Sequence, residues 1–434
     1  MANTYTTYKD SGIPWIGEIP KEWKIAKLGA LYTNRNEKVS DKDFPPLSVT
    51  MKGILPQLET AAKTDDGDNR KLVRKGDFAI NSRSDRRGSC GISPYDGSVS
   101  LINTILCPRG EMNPSFYNWL FHTTLFADEF YKWGHGIVDD LWTTRWQEMK
   151  NIYIVVPNLK EQESIANFLD EKCSEIDELI SLQEKMIDEL KAYKQSVITE
   201  VVTKGLDRNV KMKDSGVDWI GEIPEHWNYI KLGMMFDFLG GFAFDSNKFE
   251  AETENQVIRI GNVKNDNLLL DKSPVFINSN IADKANEFKL KPNYIVFTMT
   301  GTKGKRDYFF TLLVKDKDIC NKNLYINQRV GCMIAKRDIV PNFYNYLLKS
   351  SLILDNIFLY ETGTVNQGNL GINSISNTIV QYPPKEEQQA IASFLDTKCS
   401  EIDSLISIKE KKIEKLKDYK KSLIYEYVTG KKRV

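Results

Sequence analysis

Two long stretches of this chain, residues 161–203 and 387–429, carry apolar residues at helical spacing. Neither stretch contains Gly or Pro, and both are rich in Glu, Lys, Leu and Ile, which favour helix. The apolar positions follow a heptad repeat, as they do in coiled coils. The pattern therefore predicts two helices of about 65 Å each, too long for either to bury its apolar stripe within one small domain.

The two apolar stripes match each other at six positions, at a shift of 226. The first is formed by Cys173, Ile176, Ile180, Ile187, Leu190, Val197 and Val201, and the second by Cys399, Ile402, Ile406, Ile413, Leu416 and Leu423. Gln183 and Lys194 interrupt the first stripe where Lys409 and Lys420 interrupt the second. Matching stripes predict that the helices pair with each other, the alternative being that each packs only on its own globular domain. If the ends of each domain lie close together, the pair is antiparallel and pseudo-two-fold, with Cys173 and Cys399 at opposite ends.

The chain is a tandem duplication. Residues 9–29 and 213–233, which share the motif WIGEIPxxW, agree at fourteen of twenty-one positions at a shift of 204. The long stretches agree at twenty-eight of forty-three positions at a shift of 226, so the second half has about 22 extra residues, mostly before residue 340. Between these segments the halves hardly resemble each other. The predicted organisation is a globular domain (1–156), a long helix (157–206), a second globular domain (207–382) and a second long helix (383–434).

Each globular domain is predicted to be mixed α/β. Short apolar runs between turn residues indicate strands at 78–80, 152–156 and 378–381, and a leading Pro indicates helices at 116–121 and 343–348. The motif tryptophans are expected to anchor the core rather than to stack on a ligand: Trp15, Trp23, Trp219 and Trp227. The predicted fold class is therefore α/β (α+β), with two globular domains in tandem separated by an antiparallel intramolecular coiled coil.

Composition excludes several classes of protein. Fifty-nine Lys and Arg balance fifty-nine Asp and Glu, which excludes a polybasic, histone-like protein. The chain has no apolar signal-peptide core and no membrane-length apolar run, so we expect a soluble, cytoplasmic protein. Its cysteines form no CxxC pair and it has only three histidines, which favours free thiols over disulfides or zinc: Cys90, Cys107, Cys173, Cys320, Cys332 and Cys399.

Patterns that resemble catalytic motifs are better explained as structure. Residues 113–116 resemble the Asn-Pro-Pro-Phe loop of amino-methyltransferases, but their counterpart at 340–343 has lost the pattern, which favours a helix start. Residues 237–242, Asp-Phe-Leu-Gly-Gly-Phe, lack the spacing of a nucleotide-binding loop and predict a Gly-rich turn. No nucleophile motif accompanies the histidines. The sequence therefore predicts no catalytic, cofactor or metal site of its own.

The neutral average hides local positive charge. Residues 69–90 carry seven positive and two negative side chains around the loop Asn-Ser-Arg-Ser-Asp-Arg-Arg-Gly-Ser (81–89), and 298–306 form a comparable loop at a similar place in the second half. Arg can read guanine and Asn adenine, while Ser and backbone amides hold phosphates. A charge run is usually a solvated surface. One in the middle of each half, the divergent segment between its repeated motifs, strengthens the case for a DNA contact. Later loops, 134–140 and 363–368, could contribute base contacts through Asn366 and Gln367, although ordinary surface is the better explanation. The candidate DNA-binding residues are Asn81, Ser82, Arg83, Ser84, Arg86, Arg87, Thr300, Thr302, Lys303, Lys305, Arg306, Asn366 and Gln367.

The repeated motifs resemble those of a known family. WIGEIPxxWxxxKLG at the start of each half, with VPNLKEQESIANFLD and YPPKEEQQAIASFLD opening the long helices, is similar to the specificity subunit of type I restriction–modification enzymes. The resemblance covers essentially the whole chain. In the first half, Pro157-Asn158 departs from the usual Pro-Pro start. The resemblance implies two target-recognition domains, each reading one half of a split, asymmetric DNA sequence, and a coiled coil that sets the gap.

The resemblance also implies partners. Two adenine-N6 methyltransferase subunits would dock on this non-catalytic subunit, bring S-adenosylmethionine and flip the target adenine out of the duplex. Restriction subunits would add ATP- and Mg²⁺-dependent translocation. Three alternatives remain open from the sequence: a specificity subunit of a related methylation-only or bifunctional restriction system, a coiled-coil scaffold that joins protein-binding domains, and a self-sufficient DNA methyltransferase.

Overall fold

The computed structural model describes residues 4–57, 67–83, 86–136, 142–320, 322–364 and 366–434. They form two compact units, the first from residues 1–184 and 410–434 and the second from residues 185–409. The division falls within both long helices, Leu159–Lys204 and Lys385–Val428, so each unit contains one part of each helix. Within the described ranges, no helix is both long and apolar enough to cross a membrane.

The globular part of the first unit consists of short strands and helices. Its strands are β1 (Tyr8–Asp10), β2 (Glu18–Pro20), β3 (Lys24–Lys27), β4 (Tyr32–Arg35), β5 (Lys38–Val39), β6 (Leu47–Thr50), β7 (Gly53–Pro56), β8 (Arg70–Val73), β9 (Phe78–Asn81), β10 (Cys90–Ile92), β11 (Gly97–Val99), β12 (Asn103–Pro108) and β13 (Tyr153–Val156). Its helices are α1 (Leu28–Leu31), α2 (Pro114–Phe121), α3 (Thr124–Lys132) and α4 (Trp146–Met149), and the first long helix is α5.

The second unit has a similar inventory. Its strands are β14 (Met212–Asp214), β15 (Glu222–Pro224), β16 (Asn228–Lys231), β17 (Phe236–Gly240), β18 (Asn255–Ile258), β19 (Val263–Lys264), β20 (Asn267–Leu268), β21 (Ile295–Thr298), β22 (Thr300–Gly301), β23 (Thr311–Leu313), β24 (Asn323–Ile326), β25 (Val330–Ala335), β26 (Thr362–Thr364), β27 (Gln367–Asn369) and β28 (Ile379–Tyr382). Its helices are α6 (Leu232–Met235), α7 (Ser279–Lys284), α8 (Asp316–Ile319), α9 (Pro341–Leu347), α10 (Ser351–Ile357) and α11 (Ile372–Ser376), and the second long helix is α12.

Both units are built on the same antiparallel four-stranded sheet. The strand order is β4-β12-β9-β10 in the first unit and β17-β25-β21-β23 in the second. Aromatic residues of α2 and α3 share one core with the first sheet, and residues of α9 and α10 share one core with the second. The duplication therefore extends through the middles, which keep a common topology although their sequences hardly match.

The middles differ around this sheet. In the first unit a small core forms under the hairpin β6–β7, and in the second a different core forms where β18 pairs in parallel with β24 and packs near α7. The sequence shift between the two halves grows within the sheet. The matching strands β4 and β17 begin at Tyr32 and Phe236, a shift of 204. The matching strands β9 and β21 begin at Phe78 and Ile295, a shift of 217. Much of the extra length of the second half therefore lies between these strands.

The long helices pair in antiparallel fashion within each unit. In the first unit, Cys173 and Ile176 of α5 share a core with Leu423 and Val428, near the end of α12. In the second unit the end of α5 shares a core with the start of α12, through Ile198, Val201, Val202, Ile391, Leu395 and Cys399. The predicted orientation is confirmed, and the alternative that each helix packs only on its own domain is wrong. Cys173 and Cys399 belong to different units.

The lysines that interrupt the heptad stripe pair with aspartates of the opposite helix. Nζ of Lys194 lies 2.7 Å from a carboxylate oxygen of Asp403 in the second unit, and Nζ of Lys420 lies 2.6 Å from one of Asp177 in the first. The two pairs are copies of each other at a shift of 226. Both lysine side chains are about three-quarters buried, so the stems line the stripe while the ammonium groups reach its rim. A charged residue at such a position favours one helix register over others.

A buried glutamine near the start of each long helix, Gln162 in α5 and Gln388 in α12, joins the helix start to the globular part of the same unit. Gln162 is buried, donates to the carbonyl of Pro157 (2.9 Å) and accepts from the backbone N–H of Asn113 (2.9 Å). The counterpart contacts of Gln388 are with Pro383 and Val340, both at 2.9 Å. The proline and the glutamine of the motif therefore act together, as a bracket between the helix start and the start of α2 or α9.

The aspartate of the Phe-Leu-Asp motif makes a second bracket. Asp170 accepts from the indole N–H of Trp119 (2.8 Å), and Asp396 accepts from the hydroxyl of Tyr346 (2.8 Å). Trp119 lies on α2 and Tyr346 on α9. The residues of the repeated sequence motif thus make the contacts that join the start of each long helix to the globular part of the same unit.

The motif tryptophans anchor the core, as predicted. Trp23 and Trp227 are fully buried, Trp15 is buried, and Trp219 packs on the core from a partly exposed position. A long helix ends beside each of the first two. Gly430, at φ +72°, follows α12 next to Trp23, and Gly205, at φ +79°, follows α5 next to Trp227. Glycine suits these positions because the left-handed conformation that terminates a helix is disfavoured for other residues.

The expected strands and helices are confirmed to within two residues at β9, β13, β28, α2 and α9. The Gly-rich turn predicted at 237–242 is wrong, because Phe236–Gly240 form β17, which pairs with β25. A Cβ atom on Gly241 would lie 2.1 Å from the carbonyl oxygen of Asn327. That glycine permits close approach of two backbones, which sequence alone cannot distinguish from a turn.

Replacing Gln162 or Gln388 by Ala should lower the free energy of unfolding by about 2 kcal/mol, because a backbone N–H and a backbone C=O each lose the buried side chain that satisfies them. Chemical denaturation followed by far-UV circular dichroism measures the change. The matched control is Glu163→Ala, which removes an exposed side chain from the same turn of helix and should have little effect. Equal stability of all three variants would contradict the bracket.

Candidate nucleic-acid interface

The basic loop of the first unit emerges from the end of β9. The backbone of Ser82 accepts from the N–H of Thr144 (3.0 Å), and Arg83 forms a β-bridge with Thr143. Thr143 in turn bridges to His135. The basic loop therefore lies directly beside the later loop, which the sequence analysis interpreted as ordinary surface.

The second unit repeats this arrangement as a small sheet, β22-β27-β26. Thr300 pairs with Asn369, and Asn369 pairs with Thr362. The carbonyl of Met299 accepts from the N–H of Leu370 (2.9 Å), which matches the contact between Ser82 and Thr144. Sequence order placed the two basic loops at similar positions, and the pairing makes them structural counterparts. Sequence reasoning missed Thr143 and Asn369 at their centre; the signal that could have found them is their shift of 226.

Three of the candidate DNA-binding residues are buried at the base of these loops. Asn81 accepts from the N–H of Arg83 (3.0 Å), and the hydroxyls of Ser82 and Thr104 are hydrogen-bonded (2.8 Å). Thr300 is buried within β22. These buried side chains support the loops from inside the fold. Their polar character resembles that of the exposed neighbours, so sequence could not separate the two groups.

The other candidates that the structure describes are exposed or partly exposed: Arg83, Arg86, Arg87, Thr302, Lys303, Lys305, Arg306, Asn366 and Gln367. Ser84 lies outside the described residues, as do residues 137–140 of the later loop. The structure places Lys303 next to the later loop, since its Nζ donates to the carbonyl of Gly363 (2.9 Å). The two candidate loops of the second unit therefore form one surface.

Two carboxylates brace the loop of the second unit. The N–H and the hydroxyl of Thr302 both donate to Asp307 (2.7 Å each), and these bonds hold the pKa of Asp307 below its usual value. Glu361 accepts from the N–H of Gly304 (3.0 Å) and from the hydroxyl of Tyr308 (2.7 Å). The loop is thus held in one shape by its own acidic neighbours.

The surface charge of the first loop is smaller than the sequence count suggests. Arg70 is buried and donates to the hydroxyl of Ser98 (2.8 Å), while Nζ of Lys71 donates to the carbonyl of Asn103 (2.7 Å). Burial lowers the pKa of both Arg70 and Lys71. These two cations support the scaffold. The positive charge near the end of β9 is carried by Arg83, Arg86 and Arg87.

A second repeated surface lies on the long helices. Leu179 and Leu182 of α5 and Tyr419 of α12 are exposed in the first unit, at 43%, 49% and 56%. Their counterparts in the second unit are Leu405, Ile408 and Tyr193, at 48%, 63% and 51%. The antiparallel register places the members of each set on neighbouring turns of the paired helices. Large apolar groups clustered on a charged helix surface are typical of a protein-binding site.

Known proteins share this architecture. A family model for the type I restriction modification DNA specificity domain matches residues 224–421. The chain is 31% identical over 432 residues to the type I restriction enzyme MjaVIII specificity subunit of Methanocaldococcus jannaschii, covering 96% of this chain and 94% of that relative.

Two solved structures have the same fold. A chain from a study of complex assembly and conformational transition of the type I restriction–modification system matches with a TM-score of 0.71 at 13% identity, covering 94% of this chain and 98% of that one. The HsdS subunit from Thermoanaerobacter tengcongensis matches with a TM-score of 0.51 at 15% identity, covering 95% and 98%. With 31% identity across almost its whole length to a curated member, this chain belongs to the family of type I restriction enzyme specificity subunits.

Proposed function

We propose that this chain is the non-catalytic subunit that reads DNA sequence for a type I restriction–modification complex. The recognition domains, 1–156 and 207–382, each read one half of an asymmetric bipartite target. The long helices, 157–206 and 383–434, set the spacer between the halves and bind the partner subunits. Two methyltransferase subunits supply S-adenosylmethionine, and restriction subunits supply ATP-driven translocation.

One observation carries the proposal: the same scaffold presents a basic, polar loop at the same place in each unit, yet the loops differ in sequence. At the shift of 217 that relates the two loops, residues 81–89 and 298–306 have no identical residue at any position. Arg and Lys at a DNA surface supply both phosphate contacts and base readout. A shared scaffold that carries different loop side chains in the two units supports recognition of two different half-sites.

The proposal is tested by sequencing the methylome of a host that expresses this chain with its methyltransferase. We expect one motif with two unlike halves separated by a fixed spacer. Arg83→Ala combined with Arg86→Ala should relax one half only, by roughly 5- to 150-fold for each base that is no longer read. Lys305→Ala combined with Gln367→Ala should act on the other half.

The matched control for these loop variants is Lys75→Ala, an exposed cation of the first unit outside the loop. It should leave the motif unchanged. A wild-type methylome without a bipartite motif would contradict the proposed function, and an unchanged motif in both double variants would remove these loops from the DNA interface.

Lengthening both long helices by one heptad should lengthen the spacer and leave both half-sites unchanged. Duplicating residues 178–184 and 404–410 preserves the apolar stripes and adds about 10 Å to each helix, which corresponds to about three base pairs of duplex. Methylome sequencing reads the new motif directly. Duplication in one helix only is the control, since it misaligns Lys194 with Asp403 or Lys420 with Asp177 and should abolish methylation.

The exposed apolar sets on the helices should bind the methyltransferase subunits. Leu182→Glu combined with Ile408→Glu should abolish their co-purification, because a carboxylate would be buried in an apolar contact. Ser174→Glu combined with Ser400→Glu adds the same charge at exposed positions on the opposite side of the stripe and should leave co-purification intact. Loss of binding in both pairs, or in neither, would argue against this surface.

A further inference from the structure

An arginine of each basic loop is held by the same two groups. In the first unit, Arg87 forms an ion pair with Asp128 and its guanidinium carbon lies 5.4 Å from the centre of the Tyr131 ring. In the second unit, Arg306 forms an ion pair with Asp355 and lies 5.6 Å from the centre of the Phe358 ring. All four charged side chains are half exposed or somewhat more. Each arginine thus contacts both a carboxylate and an aromatic ring.

The acceptors belong to the scaffold and the arginines belong to the divergent loops. Asp128 and Tyr131 correspond to Asp355 and Phe358 at a shift of 227, whereas Arg87 and Arg306 are offset by 219. Two loops of different length and sequence therefore reach the same anchor point on the helix that follows α2 or α9. Sequence alignment alone does not pair these arginines.

The aromatic ring of each anchor makes a second contact with its loop. The hydroxyl of Tyr131 also donates to the carbonyl of Asn81 (3.3 Å), so this ring holds the start of the loop as well as Arg87 near its end. In the second unit, Phe358 packs against Tyr308 as well as Arg306, with ring centres of Phe358 and Tyr308 5.1 Å apart. Arg306 has φ +50°, a backbone conformation that non-glycine residues rarely adopt without support.

A feature common to both units cannot account for a difference between two half-sites. Because the two half-sites differ, the side chains that read bases must differ between the units. Base readout is therefore assigned to the loop positions that differ. The shared arginine has a role that both half-sites need. Two such roles exist: holding the loop in its reading geometry, or contacting phosphate, which is the same at every base pair.

We propose that Arg87 and Arg306 are positioning residues, which fix each recognition loop on an Asp-aromatic anchor so that neighbouring side chains meet the bases in register. This inference rests on the proposed function. It makes Asp128 and Asp355 determinants of DNA specificity although both are acidic. An arginine satisfied by a carboxylate and a ring has little need of the phosphate backbone.

Replacing the anchoring aspartate by asparagine distinguishes the two roles, because one role predicts weaker sequence discrimination and the other predicts stronger binding to all DNA. If Arg87 is a positioning residue, Asp128→Asn loosens the loop and relaxes the half-site read by the first unit. If Arg87 contacts phosphate, the same change removes a competing negative charge and strengthens binding to every sequence. Asp355→Asn makes the corresponding test in the second unit.

The experiment measures binding of the full chain, in complex with its methyltransferase, to duplexes that carry single-base changes in one half-site or the other. For Asp128→Asn we expect discrimination in one half-site to fall roughly 2- to 5-fold, the size of an exposed ion pair, because the contact with the Tyr131 ring remains. The other half-site should be read as before, and the midpoint of thermal unfolding should be unchanged. The double variant Arg87→Asp with Asp128→Arg should restore discrimination, because it reverses the ion pair without restoring a contact to DNA.

Asp96→Asn is the matched control, since it removes a similarly exposed ion pair, with Arg74, elsewhere in the same unit. Unchanged discrimination in both Asp128→Asn and Asp355→Asn, or a uniform gain in affinity, would overturn the positioning role. A wild-type complex that does not discriminate between the duplexes would instead contradict the proposed function itself.

Discussion

The structure depends on the burial of two apolar stripes that no single domain is large enough to cover. Each long helix runs through both units, and each unit completes its core with one part of each helix. The stripe alone would tolerate several alignments. Lys194 with Asp403 and Lys420 with Asp177 select one of them, because a displaced register would separate each lysine from its carboxylate.

Around this helix pair, contacts that recur in both units define the scaffold, and the loops attached to it vary. The brackets made by Gln162 and Gln388 and by Asp170 and Asp396 recur almost distance for distance. The central sheets also recur in strand order, with little identity between their residues. A buried strand requires only apolar residues of suitable size, whereas a hydrogen-bonded bracket requires a particular side chain. This explains why identity survives in the motifs and fades in the middles.

The charge distribution follows the same division. The chain is neutral overall, and its long helices carry many acidic and basic residues on their exposed faces. Exposed arginines and lysines at the candidate interface lie in loops attached to the shared sheet. Some nearby cations are structural, since Arg70 and Lys71 hydrogen-bond within the unit. Counting charges along the sequence overstates the charge available to a partner, because side chains close in sequence can point into or out of the fold.

The sequence by itself determined the duplication, the two helices with their antiparallel pairing, the core role of the tryptophans and the family. Each of these depends on periodicity or on identity at a fixed shift, which a linear pattern records. Only the tertiary structure decided which polar loop residues are exposed, that the early and late loops of each unit lie side by side, and that Arg87 and Arg306 reach equivalent anchors. Those relations join residues that are far apart in the chain at spacings that differ between the halves. They follow from how the strands pair and where each helix packs, and no local pattern encodes them.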